Sequence, residues 1–535
     1  MVLKTHLSVL QETARLHSDA SVFMIPVAAT NGTELREWQS ITYRQFIMDI
    51  EHCAQYWTRM FQDNLPQHSV IGLWLGGLTY IDAVHIYGIA WAGYIPQLFS
   101  LRLPNPEVIY HLMHRTGAQA LIVDASFAPI VFKSPVPFHV AADRRSMAVD
   151  KVSLPPMYQP TSADETAMIF HTSGSTSGSP KLVPCSYKWL DAVVSKAWHV
   201  SIPKHSHKQD ITVWMGSMCH IGQTFMLIGS LLHGACVIQP TTISFSSQEL
   251  VDMIQRCGLN RLNQFASFLA MHLRASRQDT KVLALLQGLD EVLYTGLPLS
   301  REEEDWANRN GIQLKNLFGS TECGAMLLSI GGRHGYKSSF LRPIEGTSYG
   351  FFPISPASEE SDGDYQDVNG QLLELVILSV SGDCPDGSLR QMDGHYHTGD
   401  LFQEIEPGHY ISRGRDDDWI KSENALRCDT KAIEDNVRMT CADLVAECVV
   451  VGNGRPSPTL FVEPRGEMDG EKLRKQIVRR TRHFHSRRYL HERIASEKFI
   501  VVVPPNALPR TATKGNIRRR AVEEVYRTEL DRIYG

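Results

Sequence analysis

Ten cysteines are present, but no two form a C-x-x-C pair, so they build neither a zinc site nor a dithiol redox motif. The opening Met-Val-Leu-Lys-Thr-His has no secretory apolar core, so reduced thiols and a cytoplasmic protein are expected. Asn31-Gly32-Thr33 then matches a glycosylation sequon only by coincidence. Uninterrupted apolar runs are lacking as well. The most apolar stretch, Val70 to Phe99, contains Asp82 and His85 and is broken by Gly76, Gly77, Gly88 and Gly93. A membrane span needs about 20 mostly apolar residues, so the stretch reads as a buried strand (Val70–Leu75) and a packed helix around Asp82–Ala92. The terminal Ile-Tyr-Gly is not a Ser-Lys-Leu address. A net charge of -5 gives no reason to expect nucleic acid or an anionic membrane as a partner.

What is present describes an ordinary globular protein: 535 residues, 43% hydrophobic and 21% charged. That length exceeds one hydrophobic core, so at least two domains are expected. Short apolar runs (Val70–Leu75, Ala120–Val123, Ala167–Phe170, Ile211–Met215, Ala235–Ile238, Glu291–Tyr294) alternate with helix-length segments, which predicts α/β architecture with largely parallel sheets. From Leu341 to about Ile411 the pattern changes to short strands and turns, interrupted by an acidic loop, Pro353 to Gly370. A boundary at Gly414-Arg415 divides residues 1–413 from a small α+β domain, 414–535. The small domain carries a basic run (Arg474, Lys475, Arg479, Arg480, Arg482, Arg487, Arg488, Arg493). A solvated helical face accounts for it best; a nucleic-acid surface or contacts to coenzyme A phosphates are the alternatives.

The chemistry-bearing stretch is Phe170-His-Thr-Ser-Gly-Ser-Thr-Ser-Gly-Ser-Pro-Lys181. An apolar strand runs into Thr172, Ser173, Gly174, Ser175, Thr176, Ser177 and Gly178. Hydroxyls and backbone N–H groups on glycine-loosened backbone, followed by the Lys181 cation, suit polyphosphate oxygens. The Gly-Lys-Ser/Thr of a Walker loop is missing. Downstream stand Asn316-Leu-Phe-Gly-Ser-Thr-Glu322, Tyr396-His-Thr-Gly-Asp400, Gly414-Arg-Asp-Asp-Asp-Trp-Ile-Lys421 and Leu508-Pro-Arg-Thr-Ala-Thr-Lys-Gly-Asn-Ile-Arg518.

In this order and spacing the five segments resemble the adenylate-forming superfamily of acyl- and aryl-CoA synthetases, adenylation domains and luciferases. The resemblance covers nearly the whole chain. It implies a large N-terminal domain of parallel-sheet α/β subdomains with a small β-barrel-like part, a mobile C-terminal domain, and an active site between them. It also implies roles. The 172–181 loop would cradle phosphates, although it is one residue longer than in most members. Thr321 would touch the α-phosphate, Glu322 would hold Mg²⁺, and Phe318 with Gly319 would lie near adenine. Asp400 would accept from both ribose hydroxyls, Arg415 would reach ribose or phosphate, and Asp417 would be the hinge. Lys514 would be the catalytic lysine, but Lys514-Gly515-Asn516-Ile517 reverses the usual Gly-Lys order and adds a residue, so Arg518 is an alternative. His397 replaces the usual arginine, and Asn424 a usual glycine.

His220, in a His-Ile-Gly segment, resembles the region lining the acid tunnel of acyl-CoA ligases; the pocket would also include Ala266, Gly296, Cys323 and Gly324. The aspartate that pairs a substrate ammonium is absent, which argues against an α-amino acid. The implied activity is ATP-dependent conversion of a small carboxylic acid to acyl-AMP, with transfer to CoA. The alternative is a stand-alone enzyme passing the acyl group to an amine or to the phosphopantetheine of a separate carrier protein. A degenerate nucleotide-binding regulator is a minor third. The spelling around Asp416–Lys421 and Leu426–Thr430 looks like fungal secondary metabolism.

Overall fold

The computed structural model describes every residue except 1–2, 28–36, 101–104, 148–152, 173–179, 333–334, 355–370, 417–418, 422–426, 487, 489–491, 495, 511–516 and 535. Among these residues the chain folds as a mixed α/β protein with five sheets.

A six-stranded sheet has the order Phe138–Val140, Ala120–Val123, Val70–Trp74, Ile95–Phe99, Thr166–Thr172, Lys181–Ser186. All neighbours are parallel except the last pair. Its inner strands Ala120–Val123 and Ile95–Phe99 are buried at every position, which is why Ala120–Val123 reads as a continuous apolar run instead of an alternating one. The helix Tyr80–Trp91 is buried on all sides. Asp82 does not interrupt it: Thr79 and Asp82 form a capping box, and Asp82 Oδ2 accepts the Leu78 and Thr79 N–H groups at 3.0 Å. His85 is satisfied too, taking the Trp57 indole N–H on Nδ1 at 3.0 Å and facing the Ala142 carbonyl through Nε2 at 2.9 Å. Burial holds its pKa down at about 4.

The second large sheet has nine strands. Arg261–Phe265, Glu291–Thr295 and Leu314–Ser320 run parallel; Gly324–Ser329, Leu341–Pro343, His409–Arg415, Tyr396–Glu406, Leu372–Ile377 and Tyr349–Pro353 continue it antiparallel. The change of pattern at Leu341 therefore marks the antiparallel half of a continuous sheet. Gly414 and Arg415 lie inside its strand His409–Arg415. A four-stranded sheet (Glu37–Thr42, Ser21–Val27, Cys236–Ile238, Ile211–Val213) completes this part.

Beyond residue 418 a two-stranded ribbon (Trp419–Lys421, Arg427–Asp429) precedes a three-stranded sheet of Val445–Val451, Thr459–Pro464 and Ile500–Val502. Helices Thr430–Thr440, Gly470–Ser486, Arg519–Val525 and Arg527–Tyr534 accompany it. This region has its own apolar clusters, one around Ile433, Val462 and Leu473, the other around Phe461, Val522 and Leu530. On the helix Gly470–Ser486 the residues Leu473, Ile477 and Thr481 are buried while Lys475, Arg479 and Arg482 are exposed, so this part of the basic run is a solvated face. All ten cysteines are buried free thiols. No helix among the described residues is long and apolar enough to cross a membrane.

Candidate active site

The strands Leu314–Ser320 and Gly324–Ser329 form a tight antiparallel turn that carries Thr321 and Glu322, both half-buried. The turn needs two glycines. A Cβ on Gly319 would lie 2.5 Å from the Gly324 carbonyl oxygen, a distance real side chains do not tolerate, and Gly324 adopts φ +68°. The Cys323 N–H donates to Ser320 Oγ at 3.3 Å. The two carbonyls at the turn are taken by one helix, Tyr187–Val200: Trp189 Nε1 donates to Glu322 O at 2.9 Å, and Lys196 Nζ to Cys323 O at 2.6 Å. Phe318 packs edge-on against Phe402, with ring centres 5.1 Å apart.

Asp400 faces Arg415 across the strands Tyr396–Glu406 and His409–Arg415, with Arg415 Nη1 3.2 Å from Asp400 Oδ1. Its backbone is held locally. Thr398 Oγ1 accepts the Asp400 N–H at 3.0 Å and donates to Leu375 O at 2.7 Å, while Gly399 N–H donates to Glu374 Oε1 at 3.0 Å. His397 stands between Glu374 (3.0 Å) and Asp393 (2.9 Å). Burial opposes its charge, but bonds to the two carboxylates outweigh that and raise its pKa.

Tyr396 was part of a motif but was assigned no role from sequence. Its phenol pKa is raised, first by burial and then by the charges of Glu322, Cys323 and Asp400, with Arg415 opposing. Tyr396 and Phe318 pack against the apolar cluster that holds Cys323 and Phe402, and this brings the Glu322 turn and the Asp400 strand together. The sequence signal is the tyrosine beginning the Thr-Gly-Asp segment; its neighbours come from strands distant in the chain.

Thr172 and Lys181 face each other as the last pair of their two strands, so residues 173–180 are the connection between them. Ser173, Gly174, Ser175, Thr176 and Gly178 lie outside the described residues, as do Asp417 and Lys514. The base of the lysine segment is described: Arg510 and Ile517 bridge, Arg518 N–H donates to Pro509 O at 2.8 Å, and Arg510 pairs with Glu463 at 2.7 Å. Arg518 occupies the N-cap of Arg519–Val525.

His220 is the N-cap of the helix Ile221–Leu232 but does not cap it with its side chain. The loop before it is pinned to the end of the strand Val70–Trp74, because Ser217 Oγ donates to Gly76 O at 2.8 Å and Met218 N–H to Gly77 O at 2.7 Å. His171, within electrostatic reach of His220, has a pKa held down at about 4, chiefly by burial. Its Nδ1 faces Leu98 O at 2.9 Å and its Nε2 faces Gln97 Nε2 at 3.1 Å, so it is a satisfied neutral histidine. Gly296 and Gly216 flank Phe265: a Cβ on either would come within about 3 Å of that ring, 3.0 and 2.9 Å respectively. Gly324 lies near Val193, Ile221 and Phe225. The side chains of Ala266 and Cys323, by contrast, belong to apolar clusters, Ala266 with Leu262 and Leu269, Cys323 with Met326 and Leu341. A separate surface groove of about 600 Å³, lined by His205, His207, Gly258, Asn260 and Asp290, contains none of the motif residues.

Magnesium fits the chemistry of this donor set. Among the described residues no cluster of three or more His, Cys, Asp or Glu could hold a metal by itself. A single hard carboxylate at Glu322 suits an ion that takes its other ligands from phosphates and water.

The AMP-binding enzyme family matches residues 10–349, and its C-terminal domain matches residues 417–535. The AMP-binding domain-containing enzyme iboA of Amanita muscaria is 34% identical over 95% of this chain and 98% of its own. The adenylate-forming reductase stbB of Stachybotrys bisbyi is 24% identical over 93% of this chain, which spans only 46% of that protein's length. Among solved structures, o-succinylbenzoate CoA synthetase of Bacillus subtilis with its acyl-adenylate superposes with a TM-score of 0.75 at 16% identity, covering 98% of this chain and 99% of that one. The turn at Glu322 and the Asp400–Arg415 pair thus sit in a fold and a sequence of the same lineage: the chain belongs to the AMP-binding, adenylate-forming enzyme family.

Proposed function

We propose that the protein activates a small carboxylic acid with ATP and then transfers the acyl group to CoA. In the first step a carboxylate oxygen attacks the α-phosphorus, and pyrophosphate leaves to give acyl-AMP. In the second the CoA thiolate attacks the acyl carbonyl and AMP leaves. The observation that supports this reading is geometric: Cys323 beside Glu322 and Phe402 on the Asp400 strand share one apolar cluster with Phe318 and Tyr396 packed against it, and Arg415 pairs with Asp400. That arrangement offers a metal carboxylate and a ribose carboxylate to one nucleotide. Magnesium bound there would neutralise phosphate charge.

In the same reading the loop from Thr172 to Lys181 cradles the phosphates, Lys514 supplies the cation at the α-phosphate, and Asp417 is the hinge between domains 1–413 and 414–535. Phe265, between Gly216 and Gly296, forms an aromatic wall of the acid pocket beside His220, while Ala266 and Cys323 contribute backbone only. The second reading is another acceptor, a carrier-bound phosphopantetheine thiol or an amine; adenylate-forming reductases stand among the relatives.

Acid-dependent pyrophosphate release across a panel of carboxylic acids, with and without CoA, tests both. Turnover that requires CoA is the expected result. Adenylate accumulating regardless of CoA favours the second acceptor, and no release with any acid overturns the proposal.

A further inference from the structure

The helix Tyr187–Val200 follows directly on the strand Lys181–Ser186 that leaves the phosphate-loop segment. Its residues 189, 193 and 196 are spaced by four and three, so they lie in one stripe. That stripe meets the metal-site turn residue by residue. Trp189 donates to Glu322 O, Val193 Cγ2 lies 3.5 Å from where a Cβ on Gly324 would be, and Lys196 donates to Cys323 O.

Lys196 Nζ also lies 2.6 Å from Asp383 Oδ2, with the two side chains 2% and 1% exposed. Asp383 is itself fixed, accepting from Ser381 Oγ at 2.5 Å and from the Tyr349 hydroxyl. It lies just past the strand Leu372–Ile377, which pairs with the Asp400 strand through Glu374 and Leu401. A buried ion pair loses its hydration on both partners, and an apolar pair of similar volume is often as stable. Fold stability therefore gives little reason for ions here. Geometry does: the ammonium has a second contact, to the carbonyl beside Glu322, and the carboxylate stands in the turn that follows a strand paired with the Asp400 strand.

We propose that Lys196 and Asp383 are positioning residues. With Trp189 they fix the backbone of the 322–323 turn, so that the Glu322 carboxylate is aimed at the metal and held at a set distance from Asp400. The proposal rests on the adenylation reading of Glu322.

The test compares wild type, Lys196→Met/Asp383→Leu and Trp189→Phe by thermal melting, by calorimetry of ATP binding with Mg²⁺ and with EDTA, and by pyrophosphate release. The double variant removes the buried charges together; it leaves the Cys323 carbonyl and the Tyr349 and Ser381 hydroxyls without these partners, so it is expected to melt below wild type but stay folded. It should lose about 10–100-fold in Mg²⁺-dependent ATP affinity and in kcat, the range for groups that orient a metal ligand, with the KM for the acid unchanged. Trp189→Phe should show a smaller loss of the same kind. A folded double variant with wild-type Mg²⁺-dependent ATP affinity overturns the inference. So does an unfolded double variant accompanied by a Trp189→Phe protein that binds Mg·ATP as wild type does. Absence of acid-dependent pyrophosphate release from the wild type overturns the adenylation reading instead, while the Mg·ATP arm still tests the brace. A wild type that does not bind Mg·ATP at all defeats both.

Discussion

The Glu322 turn and the base of the Lys514 segment are held in different ways. Around Glu322 the turn's carbonyls are held from a distant helix by Trp189 and Lys196, and Lys196 is anchored in turn by buried Asp383, while Ser320 accepts the Cys323 N–H locally. At the described ends of the lysine segment Arg510 and Ile517 bridge, Arg518 N–H donates to Pro509 O, and Glu463 holds the Leu508 N–H and Arg510, which is about one-quarter exposed. Burial does not raise the Glu463 pKa overall, because Arg510 and the Leu508 N–H hold it below the usual range. On the proposed adenylation reading, the difference follows from what each group would have to do. A metal carboxylate acts only if it is already aimed before the nucleotide arrives, since reorganisation during reaction forfeits the electrostatic gain. A lysine on a flexible four-carbon stem can find its phosphate from a less constrained base.

That contrast can be broken from either side, and the largest effect belongs to the buried one. Glu322→Ala should cut pyrophosphate release by about 10²–10³-fold, the scale for removing one preorganised electrostatic contact. Release near the wild-type rate would mean that the metal sits elsewhere. Lys514→Ala should slow acyl-AMP formation by about 10²-fold. It should barely change thioester formation from supplied acyl-AMP. If Lys514→Ala is silent and Arg518→Ala crippling, the extra residue has moved the task to the N-cap arginine.

Smaller effects are expected where binding is uniform between ground and transition states. Asp400→Asn should raise the KM for ATP by about tenfold, in line with about 1.5–3 kcal/mol for a hydrogen bond to a charged group, and leave kcat nearly intact. Steady-state kinetics with ATP varied would show whether the effect falls on kcat instead. The smallest effect concerns His397. Its folded pKa is raised, so its contribution to stability is fully present below the unfolded value of about 6.5 and is lost as pH rises through the folded value. The melting-temperature gap between wild type and His397→Asn should therefore be larger at about pH 6 than at about pH 9. A gap independent of pH would show that the imidazolium adds nothing beyond its packing.

Much of this arrangement was legible before any fold was known, and some was not. The strand at Ala120–Val123 was readable to the residue because a strand buried on both faces is apolar throughout. Asp82 was read only as a charge that rules out a membrane span; its capping role became visible with Thr79 at the helix start. Ala266 and Cys323 are expected pocket residues from the family resemblance; that their side chains lie in apolar clusters depends on packing that the sequence does not show. Lys196, inside a helix with no motif around it, carries no local signal at all.

Local order and chemistry were therefore properties of the sequence alone. The alternation of apolar runs and helical segments, the glycines the Glu322 turn requires, and the residue types suited to phosphate, ribose and magnesium all depend on near neighbours in the chain. Which distant residues hold those groups was decided only by the tertiary structure. The meeting of Lys196 with Cys323 and Asp383, and of Tyr396 with the cluster of Cys323 and Phe402, is made across the sheets and their helices, and a buried charge is stable only where its partner is delivered by the whole fold.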